Sequence, residues 1–186
     1  MKPFFKMLLI SGCYLCQIST LFPQSSNWMV FSNGDKVNCQ VIQGNFNWVG
    51  TNGGIIKINI STGEIENVNT GNSGIQENYV QCIEADINGN IWVGNLGTTF
   101  CGGLSSFKGN DWTYYDPPQN YKDYNSITAD NNGDVWVSTN SSGLFHKSSS
   151  GWEVFNKDNS PLPTNSIGKV QIENNGTVWV IVKERL

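Results

Sequence analysis

Few side chains in this 186-residue sequence could do chemistry, and its sole histidine, His146, comes first. A general base needs a pKa near working pH and a partner within hydrogen-bond reach, and imidazole is the side chain that titrates closest to neutrality. His146 stands in Gly143-Leu144-Phe145-His146-Lys147, where the alternation of a strand accounts for it. No Ser/His/Asp order, HExxH pair or phosphate-binding glycine loop accompanies it. The sequence therefore reads as non-catalytic and calls for no cofactor.

Thiols and carboxylates are the next candidates. Cys39, Cys82 and Cys101 lie beyond the N-terminal 24 residues with no CxxC pair among them, so a zinc site has no basis. Cys39 and Cys82 precede Trp48 and Trp92 by nine and ten residues, and so hold comparable strand positions in successive repeats. Buried thiols are one reading, and a disulfide between Cys82 and Cys101 that ties down a loop is the other. Asp86, Asp130 and Glu173 each come three residues before a glycine. There a carboxylate accepts the backbone N–H bonds of a turn. Falling one per repeat, the three acids are too far apart to share a metal or an active site.

A repeat carries all of these residues. Trp48, Trp92, Trp136 and Trp179 stand 44, 44 and 43 residues apart in the phrases FNWVGTN, NIWVGNL, DVWVSTN and TVWVIVK. A period in the mid-forties, rich in β-branched and aromatic residues, marks a radially repeated sheet. In the best-preserved unit, strands are predicted over 79–86, 90–95, 103–108 and 111–115, with Asn88-Gly89 as a two-residue type I′ turn and Gly109-Asn110 as a second turn. The same grammar predicts blades over 37–69, 79–115 and 125–156, a half blade over 166–182 and a stray fourth strand at 27–31. The expected class is all-β: a β-propeller of four-stranded antiparallel blades, in an incomplete arc of about three full blades with partial blades at both ends. The tryptophans belong in the wedges between blades as core. The fourth strand of the first blade, 64–68, lacks an aromatic.

Lys2 and Lys6 flank and precede an apolar run over 7–22, shorter than the about 20 residues a spanning helix needs. Residues 1–24 read as a secretory signal peptide and 25–186 as a partial propeller domain, which places the product in the periplasm or outside the cell. Ile10-Ser11-Gly12-Cys13 resembles a lipobox, so anchoring through a lipidated Cys13 is the lesser alternative. A formal net charge of −4 without a basic patch argues against nucleic acid as a partner. The sequence predicts no transmembrane helix.

The phrase Asp86-x-x-Gly89-Asn90-Ile91-Trp92-Val93-Gly94, the following Gly103-Leu104 and the linker Asn159-Ser160-Pro161-Leu162-Pro163-Thr164-Asn165-Ser166-Ile167 resemble the two-component regulator propeller repeat. Asn72-Ser73-Gly74-Ile75-Gln76-Glu77-Asn78 is similar to a degraded copy of that linker. The resemblance implies periplasmic propellers, usually seven-bladed, that sense extracellular glycans ahead of a membrane-spanning histidine kinase. Related secreted proteins carry the propeller alone. With fewer blades and no kinase here, a signalling output is not implied.

The expected function is a ligand- or partner-recognition module. Propellers bind through loops between second and third strands and through connections between blades, here 95–102, 116–124 and 140–142. Asn95, Asn120, Tyr121, Lys122 and Tyr124 offer stacking and hydrogen-bonding groups suited to a carbohydrate or peptide. The alternatives are a truncated gene fragment, further blades in a longer protein, or a structural module whose self-association completes a ring. A propeller lyase that uses His146 ranks last.

Overall fold

The computed structural model describes residues 36–96, 103–116 and 123–182. Among them lie fourteen strands and no helix. The first sheet runs in sequence order through β1 (Val37–Gln43), β2 (Phe46–Thr51), β3 (Gly54–Asn59) and β4 (Ile65–Val68). The second comprises β5 (Val80–Ala85), β6 (Ile91–Asn95), β7 (Leu104–Lys108) and β8 (Asp111–Tyr115). The third comprises β9 (Tyr124–Ala129), β10 (Val135–Thr139), β11 (Leu144–Ser148) and β12 (Gly151–Phe155), and β13 (Ile167–Ile172) pairs with β14 (Val178–Val182). All pairings are antiparallel, and β1, β5, β9 and β13 pack in succession to form an unclosed arc of propeller blades. The leader, the lipobox and the strand expected at 27–31 lie outside the described residues.

The first turn is the two-residue hairpin that its glycine suggests: Gln43 pairs with Phe46, and Gly44 has φ +57°. The Asn88-Gly89 turn is longer than a two-residue type I′ hairpin. Gly89 N donates to Asp86 O at 3.1 Å and Asp86 N to Asn90 O at 3.0 Å, with Gly89 at φ +87°. That is a three-residue loop with its glycine in the left-handed region, the next most common hairpin connection. The Asp86 carboxylate, nearly buried, explains the choice. It accepts Asn90 N at 2.9 Å, Asn90 Nδ2 at 2.7 Å and the Trp92 indole N–H at 2.9 Å. Glu173 likewise accepts the Trp179 indole N–H at 2.9 Å. The acid therefore ties its turn to the repeat tryptophan as well as capping the turn.

Each innermost strand is bulged near its start, between Val37 and Cys39, Val80 and Cys82, Tyr124 and Ser126, and Ile167 and Lys169. Bulges re-aim side chains. Asn38, in the first, donates to Val80 O at 2.9 Å, and Asn125 donates to Ile167 O at 2.7 Å. Both clamp an innermost strand to the next one. Beyond the bulge Cys39 pairs with Gly50 and Cys82 with Gly94. A Cβ on Gly50 would lie 2.4 Å from Cys39 Sγ and 2.5 Å from Val80 Cγ1, and one on Gly94 would lie 2.5 Å from Cys82 Sγ. The thiol fills the notch left by glycine, and the following blade closes over it.

The core consists of these wedges. Trp48 and Ile55 of the first blade pack with Val80, Ile83, Ile91 and Phe107 of the second, and Trp92 and Leu104 of the second pack with Tyr124, Val135, Val137 and Phe145 of the third. Trp179 departs from the expected core role. It is 59% exposed, because among the described residues β14 has neither a third strand beside it nor a blade over it.

Cys82 is a buried free thiol, as the first of the two readings has it, and Cys101, its partner in the second, lies outside the described residues. Burial pushes the Cys39 thiol up to about 12 and raises Cys82 well above its ordinary value, with the nearby Cys39 adding to the shift. Because the thiolate is the reactive form, both cysteines should resist iodoacetamide at pH 8 in the folded protein and react in urea. Peptide mapping that finds either alkylated before unfolding would contradict this packing. Replacing Asp86 with Ala should lower stability to urea by about 2–3 kcal/mol, since it orphans a buried indole N–H and loses bonds to a charged acceptor. Asp130→Ala should cost less, because among the described residues the Asp130 carboxylate accepts from Asn132 and Asp134 of its own turn and from no indole.

Candidate functional site

Across each blade the register aligns the repeat tryptophan with one residue on the third strand and one on the fourth. The rows are Trp48, Lys57 and Glu66; Trp92, Ser106 and Thr113; Trp136, His146 and Glu153. A second set of equivalent fourth-strand residues pairs with Ile55, Leu104 and Leu144: Val68, Tyr115 and Phe155. In the second blade the Tyr115 ring stacks on Trp92 with centroids 4.7 Å apart and planes at 27°. In the third, Phe155 stacks on Trp136 at 5.6 Å and 20°. In the first blade the residue is Val68, which offers no ring, and the rings that meet Trp48 are Phe46, tilted at 6.2 Å, and Phe107 of the next blade.

A cleft of about 420 Å³ opens there between the first two blades. That volume falls within the roughly 300–1,000 Å³ of small-ligand sites. Trp48, Phe107 and Trp112 supply its aromatic wall, with Val68 beside them. Phe107 meets Trp48 edge-on at 5.2 Å and stacks on Trp112 at 4.5 Å, which fixes the wall. Lys57, Glu66, Asn67, Asn72, Ser73 and Asn110 make the remainder largely polar. Lys57 Nζ sits 4.9 Å from the Phe46 ring centre, 5.3 Å from that of Trp48 and 2.9 Å from Glu66 Oε2. A cation is thus held over the aromatic floor by a carboxylate at the rim.

Local sequence explains the opposite bank. Asn72 accepts Asn69 N at 2.8 Å and donates to Asn67 O at 2.7 Å, while Ser73 Oγ donates to Asn69 O at 2.8 Å. Asn159 repeats the first two contacts with Asn156 N and Val154 O, each at 2.8 Å. The Asn-Ser pair is therefore the fold's own linker device. Gly74 lets that linker pass Trp112, because a Cβ there would lie 2.7 Å from the indole. Tyr114 donates its hydroxyl to Gly74 O at 2.6 Å and locks the bank in place. The indole N–H of Trp48 is buried without a hydrogen-bond partner. The position six residues before it, where Asp86 and Glu173 serve Trp92 and Trp179, holds the exposed Ile42.

The residues expected at the loop surface lie elsewhere. Asn95 is the last residue of β6 and fully buried, donating from Nδ2 to Glu77 O at 2.7 Å and to Tyr79 O at 3.3 Å. Tyr124 opens β9 instead of closing a connection, and it packs in the wedge between the second and third blades. Burial raises its hydroxyl pKa above the ordinary tyrosine range. Both side chains are buried: Asn95 turns back onto the carbonyls of the preceding connection, and Tyr124 stands ahead of the β9 bulge with its ring between blades. Asn120, Tyr121 and Lys122 lie outside the described residues.

His146 stacks on Trp136 at 4.0 Å and 17°. Its Nε2 lies 3.3 Å from Asp134 Oδ2 and its Nδ1 3.6 Å from Glu153 Oε2. Both nitrogens face carboxylates of its own sheet. Among the described residues no group of three or more His, Cys, Asp or Glu side chains could hold a metal. No described helix is long and apolar enough to cross a membrane.

Residues 74–97 match the two component regulator propeller family, and the motif from Asp86 to Gly94 lies within that match. Among solved structures, the chain is similar to the extracellular domain of the hybrid two component system BT3049 from B. thetaiotaomicron, with 23% identity and a TM-score of 0.67, over 78% of this chain and 20% of that one. It is similar to the corresponding domain of BT4673 from the same organism, with 19% identity and a TM-score of 0.59, over 78% of this chain and 19% of that one. Streptogramin B lyase is similar at 18% identity and a TM-score of 0.61, over 79% of this chain and 48% of that one. The chain thus spans about a fifth of the two sensor domains and about half of the lyase. What the three share with it is the fold. No curated protein matches the chain.

Proposed function

We propose that this chain, which carries a two-component regulator propeller repeat, is a non-catalytic recognition module that acts in the periplasm or outside the cell. The observation that carries the reading is the cleft between the first two blades. A rigid aromatic wall beside a polar rim recognises molecules with one apolar face and several hydrogen-bonding groups, which describes a carbohydrate or a peptide. The likeness to extracellular domains of two-component systems supports both the role and the location.

Glycan and peptide arrays probed with the full chain should yield binders whose addition changes tryptophan fluorescence. Trp112→Ala and Glu66→Ala should weaken those binders about tenfold, the equivalent of one lost stacking or charge-assisted contact. Binders unaffected by either change would place recognition outside the cleft. Loss in Tyr121→Ala instead would move the site to the connection at 117–122.

A further inference from the structure

We infer that the cleft is a slot for one tyrosine side chain of a peptide, which takes the place that Tyr115 and Phe155 fill within the next two blades. The inference rests on the recognition reading and names the ligand for that same cleft. Its basis is the register. Val68, Tyr115 and Phe155 are equivalent residues, paired with Ile55, Leu104 and Leu144. The latter two blades stack a ring from that position on their own tryptophan, at 4.7 Å and 5.6 Å. The first blade has the same tryptophan, with the next blade's Phe107 and Trp112 beside it, but at position 68 a branched aliphatic side chain too short to stack. Val68 and Trp48, between which that ring would stand, both line the cleft.

The polar surroundings favour tyrosine over other rings. In the second blade the Tyr115 hydroxyl lies 3.0 Å from Ser106 Oγ, the residue opposite Trp92. The residue opposite Trp48 is Lys57, whose ammonium already stands over two aromatic rings. A phenol entering beside Val68 would meet that ammonium as an acceptor and present an electron-rich face to it.

The test uses the full chain with acetyl-Gly-Tyr-Gly-amide, the corresponding Phe and Leu peptides, and N-acetylchitotriose, each followed by ligand-observed NMR. The Tyr peptide should saturate with a Kd of about 1 mM, as befits a single side chain, the Phe peptide more weakly and the Leu peptide not at all. Val68→Tyr supplies the ring from within: it should raise the melting temperature and weaken the Tyr peptide at least about tenfold. Val68→Ala should keep the binding, and Lys57→Met should abolish the preference for Tyr over Phe. The inference is overturned if the Tyr peptide does not saturate, or if a folded Val68→Tyr protein binds it as well as the parent does. Chitotriose binding that vanishes in Val68→Tyr, with no peptide bound, would overturn the tyrosine assignment while leaving the cleft a recognition site. Array binders indifferent to both Trp112→Ala and Glu66→Ala would instead place recognition outside the cleft and overturn the tyrosine assignment with it.

Discussion

Blade packing turns on what stands opposite the innermost-strand residue just past the bulge. At Gly50 and Gly94 the absence of a side chain gives the thiols of Cys39 and Cys82 a seat, and Val80 and Tyr124 of the following blades press on the same spot. A four-stranded sheet cannot bury either face alone, so its stability comes from this close approach to a neighbour. The third blade reaches a compatible solution with the small pair Ser126 and Ser138. Where the pair becomes Lys169 and Ile181, Ile181 is 64% exposed and no described blade follows. The spacing between sheets, and hence any cleft between them, is set at this notch.

With the sheets held at that spacing, the wedge outside the notch can vary without harming the arc. The tryptophan row shows how much. Opposite a constant indole stand Lys57, Ser106 and His146, and each covers the ring by different physics: a cation over its face, a small hydroxyl that admits Tyr115, and a stacked imidazole. The acid beneath the turn varies too. Asp86 is bonded to both its turn and its indole, whereas the first blade has a shorter turn and no acid, which strands the Trp48 N–H. Differences between equivalent positions are therefore where function is to be sought, because the shared positions are occupied with packing.

Much of this was legible in the sequence. The spacing of the tryptophans, the alternation around them and the turn glycines specify blades whose observed bounds differ by only a residue or two. The burial of Asn95 and Tyr124 was not: a one-residue bulge re-aims Tyr124 and leaves no mark in a period-two pattern, and Asn95 is drawn inward by the carbonyls of Glu77 and Tyr79, which only the folded chain brings to it. The site itself was half legible. That 64–68 lacks an aromatic is plain from the sequence, but it reads there as a weak strand. Only the pairing of Val68 with Ile55, set beside Tyr115 with Leu104, converts a missing residue type into a missing ring and so into space.

That space has an energetic meaning. Exchanging a stacked ring for valine gives up apolar burial and an aromatic contact worth on the order of 1–2 kcal/mol together. The loss falls on the interface between the first two blades, where Phe107 and Trp112 remain stacked at 4.5 Å and Gly74 and Tyr114 still hold the linker. The walls therefore do not collapse to fill the gap, and the surroundings of Trp48 stay as they would be with a ring present. A site whose walls are held by contacts it does not itself make is preorganised, and a ligand entering it orders little beyond itself. The same rigidity predicts selectivity by shape: flat rings regain the lost stacking, while aliphatic groups of equal volume regain only the burial.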